Sequence, residues 1–235
     1  RTNAADTIQK PWKRQKNVNT EQFKHYRNEK ETVKSLLRDY PAHGKISAKS
    51  LKHLLRESKS LFFQAKLAAD TLDFSGKPLP KGYEWVADNA YVLTEKLAML
   101  PSEFNFHKNL QCEIQTVDPL PRYYLVFLKY TEFLERNGFA FDDIALDAFF
   151  SALFSDETDC PCYKDLYSFP LLFKSAAVCR IAAVCRNLTA DNLSQEKAGE
   201  KLCFYFSVLR KLDAYSFEKS FAYSETERYL AADPS

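Results

Sequence analysis

The longest apolar stretch of the chain spans residues 165–188 and is apolar on almost every side of a helix. Lys174, Arg180 and Arg186 interrupt it at six-residue intervals. Charges at this spacing argue against a membrane span, whereas apolar residues on all sides are typical of a buried helix. The segment therefore predicts a central helix around which the other elements pack, with Pro170 either in its first turn or at a kink.

Apolar residues at helical spacing predict further helices along most of the chain. Asn19 can cap the first helix, Pro101 should end the third, and the fourth should begin at Pro121 and end at Gly138. No run alternates with the period of a strand. We predict an all-α bundle of about seven to nine helices with essentially no sheet. The predicted helices span about 19–39, 50–72, 82–100, a short helix within 101–120, 121–137, 142–154, 165–188, 194–212 and 216–231.

The composition is that of a globular chain with balanced charge. Of 235 residues, 46% are hydrophobic and 14% aromatic, and 33 basic against 31 acidic residues give a net charge of +2. This balance argues against nucleic acid as a partner, and 5 glycines argue against Gly-rich phosphate loops. We expect residues 1–18 to be a flexible basic segment, with a nucleic-acid or membrane-contacting arm as the alternative. Residues 19–235 are expected to form a single helical domain.

The cysteines favour a reducing, cytoplasmic compartment, because most of the six lie in apolar helical contexts and no secretory leader is visible. We therefore expect buried, reduced thiols. Cys160 and Cys162 lie beside acidic residues, as in a metal clip. Structural zinc needs paired ligands, and no second Cys or His pair follows, so the sequence predicts no metal site.

Two polar features of the predicted helices could carry chemistry. A buried Asp88 beside Asn89 could act as a general base or ligand, but a structural polar pair is the preferred interpretation. Arg122 lies in the first turn of its helix, where a cation opposes the helix dipole. An anion site is conceivable there, and a salt bridge to another element is preferred. No GxSxG, HExxH, P-loop or GxGxxG motif is present, so we predict no catalytic residue and no cofactor.

Five segments of the chain follow one another in the order in which a known family carries similar ones. They are EWVADNAY at 84–91, LPRYY at 120–124, DLYSFP at 165–170, LDAYSFE at 212–218 and ERYLAADP at 227–234. They resemble the patterns EW(I/L)xDNxYL, LPRVY, ELWAxP, LDWxxFFE and VExxLxxDP of the cyclic β-1,2-glucan synthases. These are very large membrane proteins with a glycosyltransferase region and a glycoside-phosphorylase-like region. The resemblance covers about residues 50–235, and Tyr167 stands where the family has Trp.

The resemblance implies a non-catalytic scaffold or interdomain domain, because the family's catalytic motifs lie outside the matched region. The chain would be a fragment of a larger, membrane-embedded enzyme and would lie at the cytoplasmic face without crossing the membrane. Its partners would be the remaining domains of that enzyme, with glucan as a further candidate. The family-motif residues are expected to be structural: Trp85, Asp88, Asn89, Tyr91, Pro121, Arg122, Tyr124, Leu166, Tyr167, Pro170, Asp213 and Phe217. Asp88, Asn89, Arg122 and Pro170 in particular would hold the domain together.

Two other functions fit the sequence. One is a glucan-binding module in which Trp85, Tyr91, Tyr123 and Tyr124 line a groove. The other is a stand-alone helical interaction domain that uses its basic N-terminal segment. The scaffold interpretation makes a prediction of its own, namely that the folded chain leaves an apolar or aromatic patch exposed where the missing region docks.

Overall fold

A computed structural model of the chain describes residues 20–41, 49–76, 78–106, 116–117, 120–155, 161, 163–215 and 217. Within these residues the fold is an all-α bundle of seven helices, as predicted. The helices are α1 (Thr20–Asp39), α2 (Lys49–Phe74), α3 (Lys81–Phe106), α4 (Arg122–Arg136), α5 (Asp143–Leu153), α6 (Tyr163–Thr189) and α7 (Gln195–Ala214). The segment 1–18, the Asn19 cap and, apart from Phe217, the last predicted helix lie outside the described residues.

A minimal pair of strands precedes α4. β1 (Thr116–Val117) pairs antiparallel with β2 (Leu120–Pro121), so that Thr116 lies opposite Pro121 and Val117 lies opposite Leu120. The expectation of essentially no sheet is confirmed within the described residues, where this short pair is the sheet that forms. Pro121 has no N–H for a longer ladder and its fixed φ suits the entry to a helix, which explains why the strand ends where α4 begins.

The predicted central helix is confirmed in α6, which packs against α2, α3, α4 and α7. Leu172, Phe173, Ser175 and Cys185 point to different sides of the helix, and all four are fully buried. Among the described helices, α6 alone is long and apolar enough to cross a membrane, but 72% of that window is buried inside the fold. Its apolar surface is therefore covered by neighbouring helices.

Three aromatic rings join α4, α5 and α6 in the core. Phe127 of α4 stacks on Phe173 of α6 with ring centroids 4.3 Å apart. Phe149 of α5 meets both rings edge-on, at 5.3 Å from each. Such pairs contribute about 0.5–1.5 kcal/mol each beyond the burial of their area. This cluster fixes the three helices relative to one another.

Two prolines lie inside helices. Pro101 was expected to end α3, and the helix instead continues to Phe106. A proline removes one helical hydrogen bond, here to the carbonyl of Leu97, but the buried Leu97 and Leu100 pack in the core just before it and hold the backbone in place. Pro170 lies well past the first turn of α6.

Candidate docking surface

Most of the large apolar side chains that the described residues leave exposed lie on α2 and α3. Phe74 is 96% exposed, Tyr91 is 81% exposed and Leu67 is 67% exposed. We define the outer face as six residues of these two helices: Phe63, Leu67, Phe74, Tyr91, Val92 and Met99. The two helices pack on each other and on α6, so the sides that carry these residues point away from the core.

The outer face arises because α2 carries two separate apolar stripes. Leu55 and Phe62 lie on the buried side at an interval of seven residues. Phe63, Leu67 and Phe74 are separated by four and seven residues, which places them together in a second stripe, about a third of a turn around the helix from the first. The core of the bundle covers the first stripe and leaves the second exposed.

A shallow concavity of about 490 Å³ opens where α2 and α3 meet. Leu67 of the outer face and Tyr83 of α3 lie on its two sides. Gln64, Ala68, Thr71 and Leu72 complete the lining. The concavity therefore extends the outer face into the junction between the two helices, where a protruding side chain of a partner could insert.

The flanking charges differ between the two helices. On α2 the Lys59 ammonium lies 5.9 Å from the centre of the Phe63 ring, and Lys66 pairs with Asp70 at 2.5 Å. On α3 the exposed residues Glu84, Asp88 and Glu95 fall on the side that carries Tyr91, since they recur at intervals of four and seven. The α3 half of the outer face is therefore acidic, and the α2 half is basic at Lys59.

The structure distributes the family-motif residues over several places rather than gathering them in one site. Five are buried: Pro121, Arg122, Tyr124, Leu166 and Phe217. Trp85, Asn89 and Pro170 are half-buried, and Asp88, Tyr91 and Tyr167 are exposed. Trp85 meets Phe206 of α7 edge-on, with centroids 5.4 Å apart.

Arg122 joins the start of α4 to the end of α1. The side chain is 1% exposed; its Nε donates to the Tyr40 carbonyl oxygen at 2.6 Å and its Nη2 donates to the Leu37 carbonyl oxygen at 2.7 Å. Carbonyls at the end of a helix lack helical donors and carry the negative end of its dipole. The guanidinium satisfies them, and its burial closes it to an anion from solvent.

Ion pairs connect the helices around α6. Asp213 near the end of α7 binds Lys96 of α3 at 2.8 Å and Lys174 of α6 at 2.9 Å. Burial alone would raise the pKa of Asp213, but the hydrogen bonds and charges of the two lysines outweigh it and lower the pKa below its usual value. A third ion pair joins Arg180 of α6 to Glu132 of α4.

Asp88 and Asn89 do not form a buried pair. Asp88 is exposed and makes no hydrogen bond or ion pair within the part of the chain that the structure describes. This contradicts the expectation that it holds the domain together. The Asn89 side-chain nitrogen donates to the Trp85 carbonyl oxygen at 2.8 Å, within its own helix.

The four aromatic residues that the sequence suggested for a glucan-binding groove do not line a common groove. Tyr123 is 0% exposed and Tyr124 is 3% exposed, so neither ring can line a groove. Tyr124 instead lies against the Cys179 thiol inside the bundle. Of the four aromatic residues proposed for the groove, Tyr91 alone is exposed.

A wider concavity of about 850 Å³ lies between α7 and the segment that follows α4. Phe139 and Phe204 line it together with Glu135 and Lys201, which form an ion pair across its wall. Because that pair already satisfies both charges, the concavity offers no unpaired buried charge to a ligand.

No group of three or more His, Cys, Asp or Glu residues that could hold a metal occurs among the described residues. Cys179, Cys185 and Cys203 are free thiols, and Cys203 is exposed, against the expectation of buried thiols. Cys112 and the pair Cys160 and Cys162 lie outside the described residues.

No family model, no curated protein and no solved structure matches the chain. The outer face is therefore interpreted from the residues of this chain alone. The sequence analysis missed Phe63 and Phe74, although a signal was present: both lie about a third of a turn away from the main apolar stripe of α2.

Proposed function

We propose that this chain is a non-catalytic helical docking domain of a cyclic β-1,2-glucan synthase-like enzyme, and that its outer face binds the remaining domains of that enzyme. The domain then lies at the cytoplasmic face of the membrane, next to the membrane-embedded part of the parent protein. The observation that supports this most directly is the exposure of Phe74, Tyr91 and Leu67 on the solvent-facing sides of the neighbouring helices α2 and α3. A scaffold domain separated from its partner should leave such a patch in water.

The chemistry of the outer face fits an interface with aromatic anchors. A buried aromatic side chain contributes about 150–250 Å² of contact area, and burial stabilises by about 25 cal/mol per Å² of apolar area. Phe74 and Tyr91 are aromatic and are the two most exposed side chains of the outer face. We therefore expect these two residues to contribute more to docking than Phe63, Val92 or Met99.

The charges of the outer face favour a partner of complementary charge. The acidic side of α3 favours a partner segment that carries Lys or Arg beside its apolar residues. Because exposed charges are screened within about 8–10 Å at physiological salt, salt should slow association more than it weakens the apolar contact.

The first test is the size and location of the native polypeptide in source cells. An immunoblot against this chain should show a band far above its 27.2 kDa, in the membrane fraction. A band near the mass of the chain itself, in the soluble fraction, would contradict the proposal.

The second test asks what the outer face touches in that native protein. A photo-crosslinker at Tyr91 should link to a peptide of the same polypeptide outside residues 1–235. The same crosslinker at Tyr167, a half-exposed tyrosine of α6, is the matched control and should give little of that product. Equal yields at the two positions would rule out the outer face as the docking surface.

A glucan-binding module is the second candidate, and the arrangement around Tyr91 favours it. Aromatic rings stack on sugars and carboxylates accept hydrogen bonds from sugar hydroxyls. Tyr91 lies on the same side of α3 as Glu84, Asp88 and Glu95. Titration with millimolar β-1,2-glucan oligosaccharide should then shift amide NMR signals of α3 in the wild type and not in Tyr91→Ser. Unchanged spectra would remove this candidate and leave the docking domain in place.

A further inference from the structure

One carboxyl group of the fold is buried without a cation. Glu29 of α1 is 4% exposed and lies at the junction of α1 with α4 and α5. Its Oε2 is 3.3 Å from the Tyr130 hydroxyl. No lysine, arginine or histidine pairs with it within the described residues, and its neighbour Lys30 instead donates to Ser151 of α5 at 2.8 Å.

The hydrogen-bond arrangement fits a protonated Glu29. The Tyr130 hydroxyl also lies 2.9 Å from the Ala145 carbonyl oxygen, a shorter contact than the one to Glu29. A phenol has one hydrogen, and a carbonyl oxygen can only accept. When Tyr130 donates to Ala145, its oxygen is left to accept, and a protonated Glu29 supplies the donor. A carboxylate at this position would compete with Ala145 for the same hydrogen.

The other charged groups around Glu29 also disfavour a carboxylate. Tyr130 faces it from α4, and the carboxylate of Asp142 faces it from the start of α5. Asp143 and Asp147 add further acid to α5, although Asp143 pairs with Lys211 at 2.7 Å. On α1 itself, His25 lies one helical turn before Glu29 and its ring meets Phe139 edge-on at 4.6 Å. Lys30 is adjacent to Glu29 in the chain, and Glu31 and Lys34 pair with each other at 3.6 Å.

The middle and the end of α1 are held differently. Arg122 binds the Leu37 and Tyr40 carbonyls at the end of the helix through two hydrogen bonds. In the middle of the helix, eight residues before Leu37, Glu29 contacts the core through a hydrogen bond that depends on one proton. Loss of that proton should weaken the contact of the helix with α5 while its end stays bound.

We propose that α1 is a proton-dependent strap: it lies closed on α4 and α5 while Glu29 is protonated, and loss of that proton loosens the part of the helix that precedes the Arg122 contacts. Loosening exposes the apolar surface of α4 and α5 beneath α1. The strap is formed by α1 on α4 and α5, whereas the outer face lies on α2 and α3. The strap proposal therefore does not depend on the docking proposal.

The pKa of Glu29 places this transition near neutral pH. Burial raises the pKa most, a hydrogen bond donated by Tyr130 to the ionised form lowers it, and the charge of Asp142 raises it further, with a net change from 4.5 to about 7. Because the closed form has the higher pKa, it binds the proton more tightly than the open form. Its stabilisation is complete below pH 4.5 and is lost as the pH rises through about 7.

Hydrogen exchange of the full chain tests the strap. Protection factors of α1 amides, corrected for the intrinsic pH dependence of exchange, should fall about tenfold between pH 6 and pH 8. Amides of α6 should change far less. In Glu29→Gln, which keeps an amide donor and cannot ionise, the fall should disappear, whereas the matched control Glu31→Gln, on the exposed side of α1, should keep it.

Equal α1 protection at the two pH values in the wild type, or a tenfold fall that survives in Glu29→Gln, would overturn the proposal. If Glu29→Gln does not fold, a ¹³C NMR titration of the wild-type Glu29 carboxyl decides. An apparent pKa near 7 supports the strap, and one below 5 refutes it.

Discussion

Phe173 of α6 and Phe74 of α2 are the same residue in the same kind of secondary structure, yet one is 0% exposed and the other 96%. Phe173 stacks on Phe127 and meets Phe149, so its burial contributes to folding. Phe74 makes no ring contact with the described residues, so its burial can contribute only when a partner covers it. The two residues therefore differ in what covers them. The chain itself buries Phe173, whereas Phe74 is left for another molecule to bury.

The largest loss of stability should come from a substitution in the core, at Phe173. Phe173→Ala removes a ring that packs against α4 and α5, and we expect a loss of about 3–5 kcal/mol in the free energy of unfolding. Urea denaturation monitored by circular dichroism measures it. Phe74→Ala is the matched control and should change stability by about 0.5 kcal/mol or less. Similar losses for the two variants would remove the distinction.

Arg122→Met should have the next largest effect. The substitution keeps much of the apolar volume but removes both hydrogen bonds to the last turn of α1, and we expect a loss of about 2–4 kcal/mol. Hydrogen exchange should quicken at the end of α1 as well. Arg136→Met, at the exposed end of the same helix, is the control and should be nearly neutral. A neutral Arg122→Met would show that the buried guanidinium does not stabilise the α1 contact.

Asp213→Asn should produce a smaller loss that depends on pH. Removing the charge that Lys96 and Lys174 share should cost about 1 kcal/mol at pH 7, because the group is partly exposed. The folded pKa lies below the usual value, so this stabilisation is present at neutral pH and is lost as the pH falls through the folded pKa. Urea denaturation at several pH values between pH 7 and pH 2 should show the difference between the two proteins shrinking as the pH falls. A difference that stays constant over this range would mean that the ion pairs are not its cause.

The smallest effect on stability should come from the outer face. Phe74→Ser combined with Tyr91→Ser removes two exposed rings, and we expect unfolding to change by about 0.5 kcal/mol or less. The same pair of substitutions should abolish docking to the remaining domains of the parent enzyme in a reconstituted binding assay. If the double variant is strongly destabilised and still docks, the two rings contribute to folding and the outer face is not the docking surface.

Much of the fold follows from local sequence signals. The position of α6 follows from its continuous apolar composition, and the end of α4 follows from Gly138, which adopts a φ of +69° that other residues disfavour. Asp142 accepts a hydrogen bond from the Ala145 N–H at 3.0 Å, as its place before α5 predicts. These signals act within a few residues, so they can be read without knowledge of the neighbours.

The contacts between helices could not be predicted from local sequence signals. Glu29 and Tyr130 are 101 residues apart, and Arg122 lies 82 residues from the carbonyl of Tyr40 that it binds. Helical periodicity fixes which side chains share a face, whereas the packing of distant segments decides which face is covered. The sequence by itself therefore determined the helices and the central place of α6. The tertiary structure alone decided that Leu67 and Asp88 face water, that Arg122 binds the end of α1, and that Glu29 is buried without a cation.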